Sequence, residues 1–272
     1  MTTSLLAEWA PPGSDWYYAL ARVTPKQKHA IVALYAYAQT LHHIAERYHE
    51  PGIAEIKLHW WQDEIERVFQ QQAQHPIGQA LQISATQFAL NKTALLALIE
   101  AASLSLKTQR FETQNQLAQH YQHTGGIMVS QMATVLHNAP LNGPIETYTH
   151  TLGIALETIR HIIDTPYYLA RQHLYFPTQT IEQAHIDLNA LMQKPQGDRQ
   201  LKTLLQQQAK WAREQYQQAL MALPKDALDT PKPLLIYAKL QFKKLDKIER
   251  DGLRVCERRL ELSPLAKWWH VL

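Results

Sequence analysis

Tyr35, Gln39, His42, Glu46 and His49 recur at spacings of 4, 3, 4 and 3, and so do Glu157, His161, Asp164, Tyr168 and Arg171. Within a helix, that spacing places every member of a set on one face. A solvated helix face is ordinarily built from Lys and Glu, so two stripes of His, carboxylate and Tyr inside apolar helical patterns predict the walls of a cavity. Such walls can hold a metal ion or the polar head of a ligand. Glu46-x-x-His49 matches the Glu-x-x-His spacing of carboxylate metal sites in bundles, which Glu157, His161 and Asp164 would complete from the facing helix. In a chain with fourteen His, that spacing also arises readily by chance.

The elements that must position these stripes are helices. Thr24-Pro25-Lys26-Gln27 reads as a capped start. Ala30, Leu34, Tyr37, Leu41, Ile44 and Tyr48 then form a core stripe that runs to Pro51-Gly52. Further periodicity predicts helices at 53–70, 77–89, 93–107, 114–137, 145–171, 198–222 and 232–260, the last opening at Thr230-Pro231. Ser263-Pro264 starts a short final helix. Pro166, just after Asp164, is expected to kink or end the helix that carries the second stripe. Nothing marks a domain boundary, and residues 1–272 read as one all-α domain.

Composition excludes several classes. The 27 Lys and Arg nearly balance the 24 Asp and Glu, and a net charge of +3 gives no electrostatic case for nucleic acid. The single cysteine, Cys256, excludes an intramolecular disulfide; it fits a reducing, cytoplasmic setting and reads as a small core residue. The opening MTTSLLAEWAPPG has no basic stretch followed by a long apolar run, and no segment approaches the ~20 apolar residues of a spanning helix. Trp268 and Trp269 near the C-terminus either pack on the body or touch a membrane interface peripherally.

Along the chain come Trp16-Tyr17-Tyr18-Ala19, Ala33-Leu34-Tyr35-Ala36-Tyr37-Ala38, Leu58-His59-Trp60-Trp61-Gln62-Asp63-Glu64 and His75-Pro76-Ile77. Tyr121 with Gly125-Gly126-Ile127-Met128, Leu152-Gly153-Ile154-Ala155-Leu156 and Tyr175-Phe176-Pro177 follow, then Leu245-Asp246-Lys247-Ile248 and Arg258-Arg259-Leu260-Glu261-Leu262-Ser263-Pro264. In this order the segments resemble the motifs of the squalene/phytoene synthase family, the head-to-head prenyl transferases of the isoprenoid synthase fold. The resemblance implies a multi-helix bundle with a central cavity, an apolar tunnel for an isoprenoid chain, and a mouth where two facing Asp-rich motifs hold Mg2+ and prenyl diphosphate.

On the matching positions, the implied metal ligands are His42, His43, Glu46 and Asp164. Tyr121, Tyr168 and Arg171 would stand at the reacting groups, and Lys28, Arg171 and His173 would neutralise phosphate. Tyr35, Gln39, Glu157, Arg160 and His161 would line the mouth; Gly125, Gly126, Met128 and Tyr175 would line the chain. Read without the family frame, Met128 and Met132 are core packing. Each of Gly125 and Gly126 costs a helix about 1 kcal/mol relative to Ala unless a bound chain or a neighbouring helix must come close.

Active members of that family carry D-D-x-x-D where this chain has His42-His43-Ile44-Ala45-Glu46. The second motif keeps Asp164 but has Tyr168 at its second Asp, and Glu157 and Arg160 replace a Gln and an Asn. Magnesium prefers hard oxygen donors and binds imidazole poorly. The expectation is therefore a catalytically impaired relative that binds an isoprenoid or similar lipid chain, an accessory or assembly role included, since the family contains a respiratory complex I assembly factor with reduced motifs. Two alternatives stay open: an active prenyl transferase with a divergent, Mg2+-assisted site, and the transition-metal site above. No protein partner is indicated.

Overall fold

The computed structural model describes residues 2–47, 50–108, 110–141, 143–223 and 232–271. Among them the chain forms α1 (Thr2–Trp9), α2 (Asp15–Ala19), α3 (Pro25–Arg47), α4 (Pro51–Phe69), α5 (Pro76–Gln87), α6 (Lys92–Lys107), α7 (Gln114–Tyr121) and α8 (Ile127–His137). Then follow α9 (Gly143–Ile163), α10 (Thr165–Leu169), α11 (Thr178–Gln183), α12 (Leu188–Gln193), α13 (Arg199–Ala222), α14 (Lys232–Arg250) and α15 (Pro264–Val271). The all-α expectation holds.

Helix α3 starts as its sequence dictates. The Gln27 amide donates to the Thr24 hydroxyl and the Thr24 amide to the Gln27 side chain, both at 3.3 Å, which satisfies two otherwise unpaired N–H groups. Its core stripe from Ala30 to Ile44 is buried against α5, α6 and α8, and the Tyr37 hydroxyl donates to the Leu95 carbonyl at 2.9 Å. Tyr48 and the Thr230-Pro231 start lie outside the described residues.

Glu64, in the segment matched to a family motif, is fully buried and structural. Its Oε1 accepts from the Gln74 and His75 amides, both at 2.8 Å, and its Oε2 from Arg67 at 2.8 Å. Thus α4 fastens the start of α5, where His75 caps the helix by accepting from the Ile77 amide.

Three predicted helices differ from the observed ones. The helix expected over 114–137 is interrupted by a π-helical turn, Gln122–Gly126, between α7 and α8. A Cβ on Gly153 of α9 would overlap the Gly125 and Gly126 backbone, and one on Gly125 would lie 2.6 Å from the Gly153 carbonyl oxygen. Of the two reasons for the glycine pair, the close approach of a helix is the one realised here. The helix expected over 145–171 breaks at Asp164, since Pro166 lacks an N–H and its ring collides with the preceding turn. The helix expected to reach 260 ends at Arg250, where Gly252 takes φ +77°.

Buried residues fall into a large cluster around α3 and a second one around α9, α13 and α14. A third, small and mostly aromatic, holds Phe111, Tyr121, Tyr168 and Tyr175. Tyr168 of the second stripe belongs to it.

Candidate functional site

Arg160, on α9, is the centre of the polar mouth. Its Nη1 donates to both oxygens of Glu46 on α3, at 3.1 and 3.2 Å, and to the Tyr168 hydroxyl at 2.7 Å. Its Nε donates to Glu157 Oε2 at 2.9 Å, and its Nη2 lies 2.8 Å from the same oxygen. One guanidinium therefore ties together one carboxylate from each of the facing stripes. Burial alone would depress its pKa, but Glu157 and Glu46 hold it well above the usual arginine value. Arg160 lies outside the 4-3-4-3 stripe, so the stripe pattern missed this role; its i,i+3 relation to Glu157 is the signal that was present.

The imidazoles beside it are neutral. His161 is buried, and its Nδ1 donates to the Glu157 carbonyl at 2.9 Å, which leaves Nε2 to accept from Arg160 Nη2 at 3.2 Å. Burial, then Arg160, drives its pKa well below the imidazole range. Burial and Arg160 also lower His42 to about 3, and burial lowers His120 to about 4.

These three histidines carry a pH prediction. Their folded pKa values lie below the unfolded value of about 6.5, so the stability they contribute is complete above about pH 6.5 and is lost as pH falls towards about 4 for His120 and about 3 for His42. Unfolding free energy from urea titrations should fall by about 1.4 kcal/mol per pH unit for each such His between about pH 6 and 4. His42→Gln or His120→Gln should each remove one proton's worth of that slope. A profile that stays flat from neutral to pH 5 would contradict the assignment.

A cavity of about 420 Å3 opens at the mouth, lined by Trp9, Gln39, Thr40, His42, His43, Glu46, Arg160 and Asp164. Trp9 was not anticipated, because it comes from α1, which is too short for periodicity to reveal. Behind the mouth, the His161 ring lies between Tyr121, Tyr168 and Tyr175, with ring centroids 4.9, 4.9 and 3.8 Å away. The void left there is only about 10 Å3, about the space of one water. The expected apolar slot is filled at this point by aromatic side chains.

Other predicted residues go elsewhere. Arg171 does not share a helix face with Glu157; it stacks 3.8 Å from the Tyr167 ring centre, because the chain turns at Pro166. Lys28 lies 5.5 Å from the Tyr17 ring, outside the lining of the mouth cavity. Tyr35 packs between Trp9 and Trp16, and burial, then Asp15, pushes its hydroxyl up to about 12. His173 borders the small void. Met128 and Met132 are core residues, and Cys256 packs on the second cluster, its thiol pushed up to about 11 by burial.

The implied magnesium does not fit this donor set. Both Glu46 oxygens and Glu157 Oε2 are engaged by Arg160, Asp164 Oδ1 lies 3.9 Å from Arg259, and His42 offers an imidazole nitrogen, a poor donor for magnesium. Among the described residues, no group of three or more His, Cys, Asp or Glu is arranged to hold a metal ion. His49, the second half of the Glu-x-x-His pair, lies outside the described residues.

A profile of the squalene/phytoene synthase family matches residues 10–266. The fold is similar to that of a ligand-bound dehydrosqualene synthase, with TM-score 0.82 and 13% identity over 99% of this chain and 92% of that one. It is also similar to squalene synthase HpnC from Alicyclobacillus acidocaldarius, with TM-score 0.73 and 16% identity over 92% of both chains. YisP from Bacillus subtilis subsp. subtilis strain 168 superposes with TM-score 0.69 and 18% identity over 99% of this chain and 93% of that one. At such identities the structural likeness carries the fold alone. No curated protein matches by sequence.

Proposed function

This chain belongs to the squalene/phytoene synthase family, and from that premise we propose that it binds an isoprenoid or similar lipid chain without ionising a prenyl diphosphate. Its role is that of an impaired, accessory member. The observation that carries this reading is the Arg160 guanidinium held between Glu46 and Glu157.

Ionising an allylic diphosphate separates an anion from a carbocation, and the barrier falls only when positive charge meets the leaving group. Here the Arg160 guanidinium is already neutralised by carboxylates. Glu46, Glu157 and Asp164 against Arg160 and Arg259 leave that mouth one acid in excess, which opposes diphosphate. The mouth cavity lies within the size range of small-molecule sites. A longer chain requires the Tyr121, Tyr168 and Tyr175 rings to move aside.

Incubation with farnesyl and geranylgeranyl diphosphates plus Mg2+ or Mn2+ should release no diphosphate above a protein-free control. Farnesol should quench the protein's Trp fluorescence saturably, through Trp9 at the mouth, and Trp9→Phe should diminish that signal. Metal-dependent diphosphate release would overturn the proposal; absence of both release and quenching would remove the binding half of it.

A further inference from the structure

Helix α15 is amphipathic in the wrong sense for a helix on a water-exposed surface. Its charged residue, Lys267, is only 7% exposed, while Leu265, Trp268 and Trp269 are 74%, 50% and 72% exposed. Surface helices ordinarily do the reverse. We infer that the outer face of α15 docks onto an anionic phospholipid surface.

The orientation of α15 is fixed by buried ion pairs. Lys267 Nζ lies 2.7 Å from Asp15 Oδ1 and donates to the Gly13 carbonyl at 3.0 Å. Asp15 Oδ2 receives Lys244 Nζ at 3.2 Å and Gln241 Nε2 at 2.8 Å. Burial pushes the Asp15 carboxyl up, but Lys244 and Lys267 hold it below the usual carboxylate value. Rolling α15 to bury its tryptophans would strand Lys267 and Asp15, a cost of the kind that breaking a buried pair imposes.

Charge identifies the occupant. A surface concavity of about 600 Å3 abuts α15 at Ala266 and carries Lys243, Lys247, Arg250 and Arg258 against the single acid Asp251. Some of these cations have local partners: Lys247 donates to the Glu261 carbonyl, Lys243 lies 3.4 Å from Asp246, and Arg258 pairs with Asp251. Backbone carbonyls do not cancel charge, and the concavity keeps a basic excess. Tryptophan rings favour the bilayer interface, and adjacent basic groups add attraction to acidic head groups. Contact would be peripheral, because no helix of the described residues is long and apolar enough to cross a membrane.

The test is sedimentation of the full chain with phosphatidylcholine vesicles, with and without phosphatidylglycerol. Binding should appear with phosphatidylglycerol, weaken with salt, and drop about tenfold or more in the Trp268→Ser/Trp269→Ser variant. The Lys243→Glu/Arg250→Glu variant should also lose it, and it decides the matter if the Trp variant melts early. Equal binding to both vesicle types, no binding to either, or a folded Trp variant that binds like the parent would overturn the inference. A concentration-dependent dimer that the Trp variant loses, without vesicle binding, would instead assign the face to a second copy of this chain.

Discussion

Gly153→Ala is expected to destabilise the protein by about 3 kcal/mol or more, lowering the melting temperature by roughly 5–10 °C. The added methyl group would meet the Gly125 and Gly126 backbone of the π-helical turn, not the movable end of a side chain. Only separation of α9 from α7 and α8 relieves that overlap, and separation undoes packing along the whole crossing. Gly52→Ala is the control: a methyl group there meets nothing within 4 Å, at the second position of α4. It should be neutral or raise stability by up to about 1 kcal/mol. Calorimetry on the two variants separates the cases, and a Gly153→Ala protein that melts like the parent would refute the close crossing.

Arg160→Met should cost about 3–5 kcal/mol at neutral pH, because it leaves the Glu157 and Glu46 side chains, 5% and 12% exposed, without their cation. The sign of the pH response should then reverse. A buried carboxylate without a counter-charge has a raised folded pKa, so its contribution is present below the unfolded value near 4.3 and is lost as pH rises through the folded one. The gap between variant and parent should therefore close on acidification, although the parent itself loses stability there through its histidines. Adding Glu46→Gln and Glu157→Gln to Arg160→Met should recover much of the loss, since removing a whole buried ion group is far milder than removing half. Urea titrations at neutral and mildly acid pH check both points. A gap that widens in acid would mean that Arg160 does not neutralise these carboxylates.

The helical pattern carried most of the architecture. Apolar periodicity placed α3 to α6 and α13 closely, and Thr24, Pro25 and Gln27 fixed the start of α3, because these signals act within one or two turns. Glu46, Glu157 and His161 could be assigned to one mouth, since 3- and 4-residue steps define a face. Arg171 could not. One proline reoriented its backbone, and periodicity drawn through a break keeps counting as if the helix continued.

By itself, then, the sequence determined the all-helical class and the family, both of them properties of residue type and local spacing. Tertiary structure alone decided that Arg160 joins Glu46 to Glu157, partners 114 and 3 positions away. It also decided that Tyr121 and Tyr175 close the space around His161, and that Lys267 turns inward while Trp268 and Trp269 turn out. The reason is physical: helix propensity and periodicity are summed along one segment, whereas charge pairing and void filling depend on the distance between segments, which only the packed fold sets.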